Sequence, residues 1–409
     1  MGETSSSAGP RREVPLVLLL VATSILTMMN SASFPGLMPV LKTEWGLSNT
    51  EAGWISGIFY GGYICAVPFC VSLTDHIDSR RIYLAALLLT SAAALCFALA
   101  AEGFWSALVF RALAGAGLAG TYMPGLRLLT DRTSPQRQSR WIALYTASYG
   151  LGSSISYLSI IELAAHVGWQ GALAIAAAGA LLSFGLILFV PRHSQPDFSG
   201  RFHLPDIRPG LKNRPALKYI ALYGLHNWEL FAFQSWIVSY LTWCATRQPS
   251  GQDWLPWVSW ITAGFLAAGM VASILGAETA TRYGRLRTIA TVMAVVLVVA
   301  PLAGAGGYLP LWVALTGCLL LGALTMGDSA AITTGAMFAA VEGQRGITLA
   351  AHSIVGFGGG LVGPLAVGIV LDLTARWGDP ASWLAAFLTM AMGSAAGLAL
   401  LGRTAAARA

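Results

Sequence analysis

The chain has 409 residues, 56% of them hydrophobic and 10% charged, with a formal net charge of +6. A soluble domain carries about 25% charged residues, so water is excluded as the main solvent for most of this chain. The basic excess does not mark a nucleic-acid binder either, because the Lys and Arg residues sit in short loops between apolar runs rather than in a stripe or patch.

Arg11 and Arg12 precede an apolar stretch from Val14 to about Met38 that has no A-x-A cleavage site, so it reads as a retained first helix. Apolar runs of about twenty residues follow one another along the rest of the chain, each long enough to cross a bilayer. Length and loop punctuation predict helices near 14–38, 51–73, 82–101, 104–126, 139–163 and 168–191. Six more are predicted near 217–246, 254–277, 286–307, 310–339, 345–373 and 380–402. The expected organisation is a cytoplasmic tail (1–13), a six-helix bundle (14–191), a cytoplasmic linker (192–216), a second six-helix bundle (217–402) and a tail (403–409). The linker has Pro, Gly and charges without an apolar face, as a solvated connection should.

Alternate loops differ sharply in charge. One side holds Arg80, Arg81, Arg127, Arg132, Arg137, Arg140, Arg282, Arg285, Arg287 and Arg345, together with the basic residues of the linker and tails; the other holds Lys42, Arg247 and Arg376. Positive loops stay in the cytoplasm, which predicts both termini there and an even number of spans. Trp243, Trp254, Trp257 and Trp312 fall near the predicted outer ends, where indoles anchor at headgroups. The five cysteines are scattered inside apolar runs, so neither a disulfide framework nor a metal site is expected.

Sliding the sequence by 206 residues aligns Trp54, Ile55, Phe59 and Arg81 with Trp260, Ile261, Phe265 and Arg287. One residue further, Trp105, Ala107, Leu108, Gly115, Ala116 and Gly120 fall on Trp312, Ala314, Leu315, Gly322, Ala323 and Gly327. A six-helix slide preserves orientation, so the halves read as parallel repeats with a site between them near the membrane midplane.

At these residues the chain resembles the major facilitator superfamily, from its first helix to its last. Between predicted helices 2 and 3 that family carries a G-x-L-A-D-R-x-G-R-R type signature; here Asp75, Arg80 and Arg81 survive and the glycines do not. The second-half counterpart keeps Arg282, Gly284, Arg285 and Arg287 but has Thr281 in place of the acid. The resemblance implies a gate, in which a carboxylate and arginines at one helix end pair with the facing half. The plainer reading is positive-inside loop charge. Arg111 followed by Gly115, Gly117 and Gly120 resembles the family's helix 4 motif, whose glycines allow close packing. Helix 5 reads Ser148-Tyr149-Gly150-Leu151-Gly152, without the proline of the family's efflux antiporters. Helix 7, with Tyr223-Gly224-Leu225-His226-Asn227 and Trp236, is similar to cyanate permease-like members.

Three charges lie inside the predicted membrane: Arg111, Glu229 and Asp328. Such a group costs at least ~2.5 kcal/mol at the bilayer centre, so each must face a cavity or a partner. Arg111 and Glu229 have no charged twin in the other half; Cys318 and Thr23 stand in the aligned positions. This asymmetry suggests one half holding an anionic group on Arg111 and the other offering Glu229 to a proton. The alternatives are a structural ion pair or carbonyl clamp within the first half for Arg111 and a packing partner for Asp328. His226, Asn227, Trp228 and Glu229 form a polar cluster expected to line the cavity, and His352 is a candidate proton relay or a packing residue. Tyr60, Tyr63, Tyr122, Tyr145, Tyr149 and Trp236 are candidate cavity-wall aromatics, and Gly356, Gly358, Gly359, Gly360 and Gly363 before Pro364 predict a helix able to bend or pack tightly.

The expectation is an all-α, multi-pass protein of a bacterial-type inner membrane, acting as a monomer without cofactor or metal. It would move a small organic or inorganic anion by alternating access, with proton-coupled uptake. The alternative is proton-driven efflux of drugs or metabolites; a more remote one is a non-transporting sensor or membrane enzyme. No H-e-x-x-h string or phosphate-binding G-x-x-x-x-G-K loop supports enzymatic chemistry.

Overall fold

A computed structural model describes residues 10–192, 204, 206–247 and 251–406. The tail before Pro10, residues 193–203 and 205 of the predicted linker, including Arg201, and the last three residues, including Arg408, lie outside the described residues, as do the side chains of Arg11, Arg12 and Arg403. Among the described residues every regular element is helical. The first group is α1 (Pro10–Met28), α2 (Ser33–Glu44), α3 (Asn49–Leu73), α4 (Ser79–Ala100), α5 (Phe104–Thr130) and α6 (Pro135–Leu188). Then come α7 (Arg208–Lys212), α8 (Arg214–Thr246), α9 (Gly251–Trp254), α10 (Val258–Tyr283), α11 (Arg285–Gly304), α12 (Leu311–Gly327), α13 (Ser329–Ala339), α14 (Arg345–Thr374) and α15 (Asp379–Ala406).

Among the described residues, ten helical segments are long and apolar enough to cross a membrane by length and composition. The 54-residue α6 would reach about 80 Å as a straight helix, well beyond the ~30 Å of a hydrocarbon core. It is interrupted at Gly168, where φ is 73° and ψ 165°, a left-handed φ open to glycine because it lacks a Cβ. Two predicted spans are broken where the sequence suggested none: 14–38 parts between α1 and α2, and 310–339 parts at Asp328, which ends α12 and precedes α13. Asp328 therefore sits at a helix junction and not in the middle of a continuous helix. In the linker, α7 lies on the start of α14, where a Cβ on Gly210 would come within 3.2 Å of the Ile347 carbonyl oxygen. Nearby, the Arg208 backbone N–H bonds the Asp206 carboxylate and holds it below its usual range.

What positions the site is the antiparallel pairing of α3 with α14. Ser48 starts α3 with a capping box: its hydroxyl accepts from the Glu51 N–H while the Glu51 carboxylate accepts from the Ser48 N–H at 2.8 Å. Immediately inside the cap, the Asp372 carboxylate of α14 accepts from the Asn49 backbone N–H and side-chain amide and from the Thr50 backbone N–H and hydroxyl, at 2.6–3.0 Å. Farther along, Cβ atoms on Gly53 and Gly57 would meet the carbonyl oxygens of Pro364 and Leu361 at 2.6 and 2.2 Å, so the two backbones touch through glycine. Tyr157 on α6 donates to the Gln234 carbonyl of α8 at 2.6 Å, and Ser259 of α10 bonds Glu162 of α6. The largest buried apolar cluster, which includes Phe34, Met38, Ile55, Phe233, Trp236 and Val367, joins α2, α3, α8 and α14.

At the other ends of α3 and α14 the pairing opens. Val67, Pro68 and Val71 of α3 face Ile347, Leu349 and Ile354 of α14 across a cavity of about 420 Å³, which Met123 of α5 also lines. Of the tryptophans expected to be anchors, Trp257 and Trp312 are well exposed, while the Trp243 indole donates to Asp379 at 3.2 Å.

Candidate functional site

His226 and Glu229 are three residues apart on α8, which puts them on adjacent positions of one face. Both are buried. His226 Nδ1 lies 2.8 Å from Asp328 Oδ1, so the acid that breaks α12 from α13 is held by an imidazole of α8. One turn earlier, the Tyr223 ring stacks on His226 at 5.7 Å and 13°, and on His352 of α14 at 3.8 Å and 10°. His352 Nε2 is 3.3 Å from the Thr333 hydroxyl of α13. The result is a continuous stack, Asp328, His226, Tyr223, His352 and Thr333, drawn from four helix segments. Ser394 of α15 donates to Glu229 Oε2 at 2.6 Å. Among the described residues His226 Nε2, His352 Nδ1 and Glu229 Oε1 are buried without a hydrogen-bond partner. Buried polar atoms are normally satisfied, so three orphans in one region mark a place where a proton, water or ligand can bind.

Glycine brings α14 this close. Cβ atoms at Gly356, Gly359 and Gly363 would collide with Tyr223, the Gly224 carbonyl and the Trp228 carbonyl at 2.2, 2.0 and 2.3 Å. Gly358, in the same run, has open space at that position.

Other predicted site residues fall elsewhere. Arg111 is buried beside the break between α1 and α2, where Nη1 donates to the Asn30 carbonyl and the Ser33 hydroxyl and Nη2 to the Ser31 carbonyl, at 3.3, 2.7 and 3.3 Å. Its guanidinium also covers the Phe59 ring at 4.4 Å. This is the carbonyl clamp: a broken helix frees carbonyl oxygens, and Arg111 supplies them with donors. Trp228 and Trp236 do not line the cavity. Their indoles donate to the carbonyls of Thr389 and Pro364 at 3.0 and 2.9 Å, joining α8 to α15 and α14. Asn227 packs beside Tyr223 against Gly356. Tyr122 and Tyr149 stack edge to face at 4.5 Å, and the Tyr149 hydroxyl is 3.2 Å from that of Tyr145. Tyr63 is fully buried, its ring 4.1 Å from Phe357, and its hydroxyl has no partner among the described residues.

Among the described residues, the ion pair of Asp75 and the hydrogen bonds of Arg80, both expected to form a gate, fall within their own half. Asp75 is 3.7 Å from Arg127 of α5, with both side chains about half exposed. Arg80 donates to the carbonyls of Ile187 and Leu188 at the end of α6, and Arg132 bridges to Asp78 at 2.9 Å. Arg81, Arg282 and Arg287 are exposed, Arg282 against the Tyr283 ring, while Arg285 covers the Phe338 ring at 4.5 Å. Sequence reasoning missed Tyr223, Thr333, Ser394 and the Asp372 junction. Tyr223 alone left a trace, since it stands three residues before His226 on the same helical face.

Comparison with known proteins agrees with this geometry. The family model described as Major Facilitator Superfamily matches residues 20–257, more than half of the chain. The niacin transporter NiaP of Acinetobacter baylyi is 28% identical over 155 residues, 38% of this chain and 35% of that protein's length. The match thus spans about a third of that relative. Among solved structures, a bacterial homolog of the human lysosomal transporter Spinster, in an inward-facing and unoccupied conformation, superposes with a TM-score of 0.72 at 14% identity, covering 98% of this chain and 96% of the other. A D323A mutant of the nucleoside transporter NupG gives 0.78 at 14% identity, covering 95% and 99%. At such identity these structures establish a shared fold.

Proposed function

This chain belongs to the Major Facilitator Superfamily, and from that premise we propose that it is a secondary active transporter, not an enzyme, working by alternating access in a bacterial-type inner membrane. Twelve spans in two parallel six-helix repeats (14–191 and 217–402), with both termini cytoplasmic, fit the kinked α6 counted as two spans and the polar α8 as another. The observation that carries the reading is one-ended closure: α3 and α14 touch through glycine at Asp372 and stand apart around a 420 Å³ cavity at the arginine-rich ends. With those ends in the cytoplasm, this is an inward-open arrangement, and the exposed Asp75 and Arg81 side chains latch onto the second half when that side closes, while Arg80 holds the end of α6.

In this reading Glu229 carries the coupling proton, with the Asp328–His226 pair and His352 beside it, and the substrate is a small anion taken up with protons. Arg111 is a positioning residue for the first helix rather than the anion's partner, because three of its five N–H donors already hold the α1/α2 break. The anion meets hydroxyl and imidazole donors instead. Tyr223 to Asn227, which carry the likeness to cyanate permeases, belong here to the polar stack.

The test is uptake of labelled small carboxylates and inorganic anions into proteoliposomes with an imposed inward proton gradient. Wild type should accumulate substrate; Glu229→Gln should lose gradient-driven uptake while keeping counterflow exchange. If wild type takes up no anion under any gradient but expels lipophilic cations, the anion and import assignments fall and efflux replaces them.

A further inference from the structure

We propose that the substrate is a monoanion with an apolar body, an aromatic or medium-chain carboxylate, whose body fills the cavity between α3, α5 and α14 and whose carboxylate reaches the buried Tyr63 hydroxyl. The proposal rests on the anion reading above and narrows it.

The cavity's walls carry the argument. Val67, Val71, Met123, Ile347, Leu349 and Ile354 bring only hydrocarbon and one thioether to it, and its remaining lining adds a proline, an alanine and a glycine. At about 420 Å³ it falls within the usual ~300–1,000 Å³ of small-molecule sites. A bare inorganic anion would shed its water there and find no donor in return, whereas an apolar body would gain from leaving water.

The inner end has a different character. Val67, Met123 and Ile354 pack against Tyr63 and Phe357, so the wall runs directly onto a tyrosine. Phe357 also lies 5.9 Å from both Tyr60 and Phe231, with near-parallel rings, which gives the inner end flat aromatic faces. The Tyr63 hydroxyl is buried and lacks a partner among the described residues. An unpaired hydroxyl donor at the dry end of an apolar cavity suits one acceptor atom of a carboxylate. Phe357, against which Tyr63 packs, follows Gly356, on which Tyr223 of the His226 and His352 stack packs, so substrate and coupling proton would bind along the same stretch of α14.

The test measures the affinity of the purified full-length protein for acetate, butanoate, hexanoate, octanoate and benzoate by calorimetry. Affinity should rise about fourfold per methylene from butanoate to octanoate, as burial of each group predicts. Ile354→Ser should flatten that rise, and Ile354→Val, which keeps the wall apolar, should preserve it. Tyr63→Phe should weaken every member by a similar factor without changing the slope. Affinity independent of chain length, with acetate or inorganic anions still bound, would overturn the inference and leave the anion reading standing. No binding of any anion would remove both. Loss on Arg345→Gln at the cavity mouth, with Tyr63→Phe neutral, would overturn the assigned orientation.

Discussion

Replacing Asp372 with asparagine should loosen the closed end of the molecule while leaving its helices intact. The wild-type carboxylate accepts four hydrogen bonds from Asn49 and Thr50, and two of the donors are backbone N–H groups at the start of the 25-residue α3. Asparagine keeps one acceptor oxygen, so two of the four bonds lose their acceptor, and the negative charge at the helix N-terminus disappears. Hydrogen bonds to a charged group contribute about 1.5–3 kcal/mol each, and a charge at a helix end typically 0.3–1 kcal/mol. Because the freed donors can turn to water once the ends part, a net loss of about 2–3 kcal/mol is the reasonable scale. A tenfold population change takes about 1.4 kcal/mol, so the ratio of closed to open ends should fall by about 30- to 140-fold. Spin labels at the exposed Val40, on α2, and Trp377, just after α14, report the separation of the two halves at this end by double electron–electron resonance. Wild type should give one short distance, and Asp372→Asn should add a longer one. An unchanged distribution in a well-folded Asp372→Asn, and again in Asp372→Ala, would refute the latch.

Three further substitutions probe separate parts of the structure. Gly57→Leu places a side chain where a Cβ alone would sit 2.2 Å from the Leu361 carbonyl oxygen; it should push α3 from α14 and lengthen the same spin-label distance with Asp372 intact. Arg111→Ala strands the Asn30 and Ser31 carbonyls and the Ser33 hydroxyl, each a cost of about 1–3 kcal/mol if left unsatisfied. It should show as a lower melting temperature in detergent, with the substrate KM of the folded fraction unchanged. Gly168→Ala forces a side chain into the left-handed region at φ 73° and should cost roughly 1–2 kcal/mol, measurable as a smaller fall in melting temperature without a change in transport selectivity.

The all-helical membrane class was legible because the bilayer imposes it on each helix separately: a long apolar run has few other solutions in water or lipid. That His226, Glu229 and Asp328 need partners was legible for a related reason, since a polar group in such a run is costly. What could not be read was the partner. Asp328 looked like a mid-helix acid because nothing nearby in sequence announces that His226, 102 residues away, holds it at a break. The α1/α2 break was equally hidden, because the donors for its carbonyls come from Arg111, about 80 residues later. Trp228 and Trp236 have the look of cavity aromatics, yet each is turned to a carbonyl of another helix.

Asp372 makes the limit clearest. As an acid at the end of a predicted helix it resembles ordinary loop charge, and its partners Asn49 and Thr50 are 323 and 322 residues distant. The unread features are thus pairings between helices, and several of them join the first half of the chain to the second. In an alternating-access cycle those cross-half pairings are the ones that must break and re-form, while the single-helix properties persist in every state. A sequence therefore displays most plainly what stays constant through transport, and the Asp372 junction, the glycine contacts of α3 with α14 and the apolar cavity opposite them are where a conformational cycle has to act.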